Sequence, residues 1–97
     1  ELKPESKAQL DEMAAVLRAK TALRVHIVGH TDNVGSLDAN LALSQRRAEA
    51  VVAALVSTYK IDAKRLSARG VASLSPVAGN RNDAGRALNR RVEMVEQ

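Results

Sequence analysis

One stretch of the chain holds the residues that could bind a charged ligand. Residues 29–48 read GHTDNVGSLDANLALSQRRA, with an acid, Asp32, in a turn-forming segment and two arginines near the end. A carboxylate and a guanidinium a few ångströms apart would suit a zwitterion, with an ammonium and a carboxylate on one carbon. The residue types therefore indicate a binding site for a group such as the α-centre of an amino acid.

The arginines are informative because of where the pattern places the helix. Ser44 is a favourable N-cap residue, so Arg46 and Arg47 are predicted in the first turn, where a cation costs about 0.3–1 kcal/mol against the helix dipole. Free amides and an arginine at that point would suit a carboxylate. On this hypothesis Arg47 binds the carboxylate and Asp32 the ammonium. Two plainer interpretations stay open. The arginines could be surface residues whose unfavourable placement is tolerated, and Asp32 could form an Asx-turn or an ion pair with Arg47.

Other chemistries fit the residues less well. His26 and His30 fall in a strand and a turn, so they do not share a helical face as a zinc pair would. Ser44 has no histidine and acid in a triad pattern. Gly29 and Gly35 are not followed by the lysine of a phosphate-binding loop. The sequence predicts no enzyme, no metal site and no cofactor.

Composition narrows the partners. Hydrophobic residues make up 45% and charged residues 27% of the 97 residues, which is typical of one soluble globular domain. The net charge is +4, and four arginines fall within residues 81–91, so an anionic partner is indicated. Tyr59 is the single aromatic residue, which argues against the base stacking of single-stranded nucleic-acid binders. No apolar run approaches membrane length.

The periodicity predicts the elements that must position these residues. Helices are predicted over residues 4–20, from Ser44 to about Tyr59, and over 83–89, with a helical turn at 38–43. Strands are predicted over residues 22–28, 65–70 and 90–96. The fold class is therefore α/β, a small mixed sheet with two main helices packed on one face, and residues 1–97 are expected to form one domain.

The residues also carry a resemblance. GHTDNVGSLDANLALSQRRAEAV, followed by NRRVE at residues 89–93, resembles the OmpA-like C-terminal domain, whose members include OmpA-type porins, Pal and the flagellar stator protein MotB. The combination of T-D-x-x-G, then N, then L-S-x-x-R-A is specific, and the match runs through essentially the whole chain.

The resemblance implies a non-catalytic module in the periplasm of a Gram-negative bacterium, attached to the cell envelope. Its ligand would be peptidoglycan, bound non-covalently through the zwitterionic end of diaminopimelate, and a membrane anchor would lie elsewhere in the parent protein. The motif positions assign the ligand to six residues: Asp32 and Arg47 as the principal pair, with Thr31, Asn40, Leu43 and Arg91 lining or supporting the pocket.

Two departures from the family pattern raise expectations of their own. The family order is βαβαββ, and the first strand is absent from this sequence, which would expose a sheet edge to another chain. Many members also have Gly-x-Gly after the third strand, where this chain has Gly70 but Ala72, so the shape of that loop is not implied.

Two rival functions remain. A dimerising structural module of an envelope machine, such as a flagellar stator, would form a stable homodimer with no affinity for cell wall. An anion or nucleic-acid binder would instead lose affinity steeply with salt.

Overall fold

The computed structural model describes residues 4–97, and the side chains from residue 7 onward. The helices are α1 (Pro4–Ala19), α2 (Leu37–Ser57) and α3 (Asp83–Asn89), and the strands are β1 (Val25–Gly29), β2 (Leu66–Gly70) and β3 (Val92–Glu96). A single turn of 3₁₀ helix, Ala63–Arg65, precedes β2. The predicted α/β class is confirmed, and α3 coincides with the predicted short helix.

The sheet is mixed and has the order β2-β1-β3. Strand β1 pairs in parallel with β2 and antiparallel with β3. Val25 and Ile27 are buried, while His26 and Val28, which alternate with them, are half-buried, as the alternation predicted. Both long helices cover the face of Val25 and Ile27. The core is aliphatic and consists of Leu10, Met13, Ala14, Leu17, Val25, Ile27, Ala48, Val51, Leu55 and Ile61.

The end of α1 is held by one arginine. Arg65 donates from Nη2 to the carbonyl oxygens of Leu17 and Lys20, at 2.7 and 2.8 Å, and from Nε to that of Leu23 at 3.0 Å. Leu17 lies in the last turn of α1, whose carbonyls lack an intrahelical donor, and Lys20 and Leu23 follow the helix. The contact joins the end of α1 to the turn before β2. It therefore lies at the end of the sheet where β1 and β2 begin.

Helix α2 begins earlier than predicted, and this corrects the argument about the arginines. Its N-cap is Ser36, whose Oγ accepts from the amide of Ala39 at 3.1 Å. The predicted turn at 38–43 is the start of the same helix. Ser44 is buried in mid-helix, where its Oγ donates to the Leu41 carbonyl at 3.0 Å and accepts from the Ala72 amide at 3.1 Å. Arg47 therefore lies well beyond the first turn, and the predicted dipole cost does not apply.

Two glycines let α2 lie close to the ends of β1 and β2. A Cβ on Gly29 would overlap the Ser44 carbonyl oxygen, and one on Gly70 would lie 2.8 Å from the Cα of Gln45. Gln45 fills the remaining space, accepting from the Gly70 amide at 2.8 Å and donating to the Ala68 carbonyl at 3.1 Å. The close approach positions the N-terminal half of α2 over the carboxyl ends of both strands.

The predicted loop between β2 and α3 is held by Asn89. This side chain is fully buried, and its Oδ1 accepts from the amides of Val77 and Ala78 at 2.8 and 3.0 Å. Its Nδ2 donates to the Ala78 carbonyl and to Oδ1 of Asn80. One side chain thus replaces the regular hydrogen bonding that the loop lacks.

Asn89→Ala is expected to destabilise the domain by about 2 kcal/mol or more, because two amides lose their acceptor in a part-buried place. Urea denaturation measures the loss, and amide exchange at Val77 and Ala78 should accelerate most. The exposed Asn33 offers the matched control, since Asn33→Ala should leave the midpoint unchanged. Unaltered exchange at both amides in Asn89→Ala would contradict the assignment.

The family strand expected before α1 would fall outside the described residues, which begin at Pro4. Among the residues described, β3 has a paired neighbour only on the β1 side. None of the described helices has the length and apolarity needed to cross a membrane.

Candidate functional site

Asp32 lies in the turn directly after β1 and is held on both sides. The Thr31 amide donates to the Ala72 carbonyl at 2.9 Å, and the Thr31 hydroxyl donates to the Asp32 carbonyl at 2.8 Å. Oδ1 of Asp32 accepts from the amide of Val34 at 3.0 Å. This is the Asx-turn that the sequence left open. Thr31 therefore supports the turn, and Asp32 itself is buried, with only 8% of its surface exposed.

The partner of the second carboxylate oxygen, Oδ2, is Arg90. Nη1 of Arg90 lies 2.5 Å from Oδ2 of Asp32, and the arginine side chain is 46% exposed. The hydrogen bond from Val34 lowers the pKa of Asp32 most, Arg90 lowers it further, and burial opposes both. Asp32 therefore carries a full negative charge in the neutral range, beside a cation that solvent can reach.

Asn40 attaches α2 to this turn. Nδ2 of Asn40 donates to the carbonyl of Val34 at 2.9 Å and lies 3.5 Å from that of Asp32. Asn40 is buried and Leu43 is half-buried. Asn40 is therefore a direct support of the Asp32 turn, while Leu43 lies one helical turn further along α2 and its contact with a ligand stays a prediction.

Arg47 is exposed and has no hydrogen-bond or ion-pair partner among residues 7–97. It follows Asn40 by seven residues, about two helical turns, so it lies on the Asn40 face of α2 about 10 Å further along. The Asp32–Arg47 ion pair that the sequence allowed is not formed, because Arg90 occupies that place. Arg47 is thus an exposed cation about two helical turns from the residue that supports the turn.

The structure places Arg91 away from Asp32, and its role in lining or supporting the pocket stays a prediction. Its Nη2 donates to the Ser75 carbonyl at 2.9 Å and its Nε pairs with Glu93. Successive side chains of an extended segment point to opposite sides. Arg90 therefore turns toward Asp32 while Arg91 turns away from it. The sequence contained the signal, two adjacent arginines, without showing which of them reaches the turn.

The loop after β2 contributes through Ala72, where the family pattern has its second glycine. Ala72 is buried with a φ of 50°, in the left-handed region that favours glycine. Its carbonyl accepts from Thr31 and its amide donates to Ser44. Two hydrogen bonds hold a conformation that an alanine seldom adopts.

Together these residues form what we call the Asp32 site: Thr31, Asp32, Asn40, Leu43, Arg47 and Arg90. It holds one buried carboxylate paired with the exposed guanidinium of Arg90, and a second exposed guanidinium, that of Arg47, without a partner among residues 7–97. Within residues 7–97, no cluster of three or more histidines and acids could hold a metal ion. The arrangement suits recognition of a small group that carries both charges.

Within residues 4–97, three helices and a three-stranded mixed sheet, with this charged turn after the central strand, define a small α/β domain. The chain belongs to the OmpA family, whose family model matches residues 1–90. This is a structural family and not an enzyme family.

The names of its relatives place the domain in the cell envelope. Outer membrane protein A of Bordetella avium is 44% identical over 93 residues, which are 96% of this chain and 47% of that protein. Probable lipoprotein YiaD of Escherichia coli is 40% identical over 97% of this chain and 42% of its own length. The chain thus spans less than half of either relative. The expected localisation, the envelope of a Gram-negative bacterium on its periplasmic side, is confirmed.

The fold matches a solved structure closely. The peptidoglycan-associated lipoprotein from Burkholderia pseudomallei superimposes with a TM-score of 0.88 at 34% identity, covering 99% of this chain and 80% of that one. The similarity extends over all the elements that carry the Asp32 site.

Proposed function

We propose that this domain binds peptidoglycan non-covalently at the Asp32 site, through the zwitterionic end of diaminopimelate, and so tethers its parent protein to the cell wall. The observation that carries the proposal is the ionised Asp32 carboxylate held in a rigid turn with an exposed Arg90 against it. The name of the Burkholderia relative, a peptidoglycan-associated lipoprotein, supports the same ligand.

The chemistry follows from the charges. An ammonium group would bind Oδ2 of Asp32. It would either share that oxygen with Arg90 or displace the Arg90 guanidinium from it. The neighbouring carboxylate would then meet Arg90 and, after a side-chain movement, Arg47. Charge-assisted hydrogen bonds of this kind are worth about 1.5–3 kcal/mol each. Because both charges are needed on one carbon, the site would distinguish diaminopimelate from lysine, whose side chain ends in an ammonium alone.

Calorimetry with two stem tripeptides tests the proposal: one with diaminopimelate at its third position and one with lysine. The lysine peptide should bind about tenfold more weakly or worse, because it lacks one carboxylate. Equal affinities would overturn the assignment. Binding that ignores the peptides but falls steeply with salt would point to a general anion binder instead.

Arg47→Gln is expected to weaken binding of the diaminopimelate peptide about tenfold, because a guanidinium that contacts the ligand carboxylate is lost. Arg46→Gln is the matched control. Both arginines are exposed neighbours on α2, but Arg46 points about 100° away around the helix. Arg46→Gln should therefore retain the wild-type affinity. Equal losses in the two variants would show that general charge, and not a contact, is responsible.

A further inference from the structure

His30 is a buried ionisable residue just before the turn of Asp32, and the binding chemistry above does not use it. Its exposure is 4%, and neither ring nitrogen has a hydrogen-bond partner among residues 7–97. Nε2 lies 3.7 Å from Oε1 of Glu93, which is beyond hydrogen-bonding distance. A buried imidazole without a partner is neutral in this place and has no evident role as a structural donor.

The charged groups near His30 come from the strands on both sides. Arg91 and Glu93 reach it from the β3 side, and they pair with each other. Arg69 of β2 is on the same face of the sheet, in register with Val28. The segment 71–80, whose Ser75 carbonyl binds Arg91, has no ionisable side chain. Glu93 is therefore the acidic group that would stabilise a protonated His30.

The neutral form is favoured by these surroundings. Burial lowers the pKa of His30 most, Arg91 lowers it further, and Glu93 opposes both. An unperturbed histidine has a pKa of about 6.5. Folding therefore favours the neutral ring, so the stability linked to His30 is fully present above about pH 6.5 and falls as the pH drops toward the lowered folded value.

A proton on His30 would disturb a short chain of contacts. The new cation would compete with Arg91 for Glu93 and repel Arg91 from its place at the Ser75 carbonyl. The Ser75 segment also contains Ala72, whose carbonyl accepts from the Thr31 amide at 2.9 Å. The backbone amide of His30 itself donates to the Arg91 carbonyl at 2.8 Å. Two backbone hydrogen bonds that hold the turn, from Thr31 to Ala72 and from His30 to Arg91, thus lie next to the His30 ring in the chain.

We propose that His30 is a positioning residue whose protonation loosens the turn that carries Asp32 and so weakens ligand binding in mildly acidic conditions. The inference rests on the proposed function at Asp32. The lowered pKa of Asp32 keeps its carboxylate ionised between about pH 5 and 8, and the chain has two histidines. A pH dependence of binding in that range can therefore be assigned by substitution.

The test compares, within each variant, the dissociation constant of the diaminopimelate tripeptide at about pH 5.5 with that at about pH 7.5. A change common to both pH values cancels from this ratio. In the wild type, the dissociation constant should be about threefold or more higher at the lower pH. A pKa of His30 that differs by one unit between free and bound protein corresponds to about tenfold in affinity, so threefold needs about half of that difference. His30→Phe, which cannot titrate, should bring the ratio to one.

His26 is the matched control, because it projects from the same face of β1 about 13 Å before His30. His26→Phe should keep the wild-type ratio. Glu93→Gln removes the group that stabilises the proton, and should move the acid transition to lower pH even if His30→Phe folds poorly. If His30→Phe keeps the wild-type ratio, or His26→Phe abolishes it, the inference about His30 is overturned, while the proposed function is not affected. Failure of the wild-type domain to bind at about pH 7.5 would instead overturn the proposed function.

Discussion

Asp32→Asn is expected to weaken binding of the diaminopimelate tripeptide about 100-fold or more, because removing one partner of a hydrogen-bonded charge pair costs about 2–5 kcal/mol. The variant loses the negative charge that would receive the ammonium, while Arg90 and Arg47 remain to repel it. Asparagine keeps a carbonyl oxygen at the position of Oδ1, so the hydrogen bond from Val34 and the turn itself should persist. The loss is therefore one of binding, with little loss of fold.

Asp62→Asn provides the control with the same chemical change. Oδ1 of Asp62 also accepts from a backbone amide two residues on, that of Lys64 at 2.9 Å, but it does so before β2, at the opposite end of the sheet. This variant should bind as the wild type does. Calorimetry gives the affinities, and thermal unfolding checks that both variants fold. An Asp32→Asn protein that binds within about threefold of the wild type would remove Asp32 from the site.

The pH dependence of the Asp32 contact has a defined sign. The pKa of Asp32 is lowered by Val34 and Arg90, so the carboxylate stays ionised as the pH falls until that lowered value is reached. On the inference above, binding lost as the pH falls into the mildly acidic range belongs to His30, and binding lost in stronger acid belongs to Asp32.

The second large effect is on stability. Gly29→Ala is expected to destabilise the domain by about 3 kcal/mol, at the upper end for overpacked sites, because the clash is with backbone that cannot rotate away. The added Cβ would overlap the Ser44 carbonyl oxygen and lie 3.0 Å from its carbonyl carbon. Relief requires α2 to move away from β1, which would also displace Asn40 from the Asp32 turn. We therefore expect a loss of binding to accompany the loss of stability.

Gly79→Ala is the matched control, since a Cβ there has no atom within 4 Å. Its urea midpoint should equal or slightly exceed the wild-type value, because alanine restricts the unfolded chain. The difference in midpoint between the two variants measures the close approach of α2 to the sheet. Equal midpoints would show that α2 tolerates the shift.

Much of the fold was accessible from periodicity. The alternation from Leu23 to Val28 predicted which side chains of β1 face the core, and the α3 segment was predicted at its observed bounds. These are local patterns, set by the repeat of two in a strand and 3.6 in a helix. The start of α2 was predicted wrongly because Ser36 and Ser44 both satisfy the N-cap pattern. Asn40, a buried polar residue, also interrupted the apolar repeat between them.

The candidate site divides in the same way. Residue types and spacing by themselves determined that Asp32 ends a core strand, that the chain has an excess of arginine, and that its pattern is that of the OmpA family. Which arginine reaches Asp32 depends on the register of β3 beside β1, a pairing of residues more than sixty positions apart. The ion pair beside His30, between Arg91 and Glu93, depends on the same placement of β3. Both are set by contacts distant in sequence, whose geometry no local pattern encodes, so tertiary structure alone decided them.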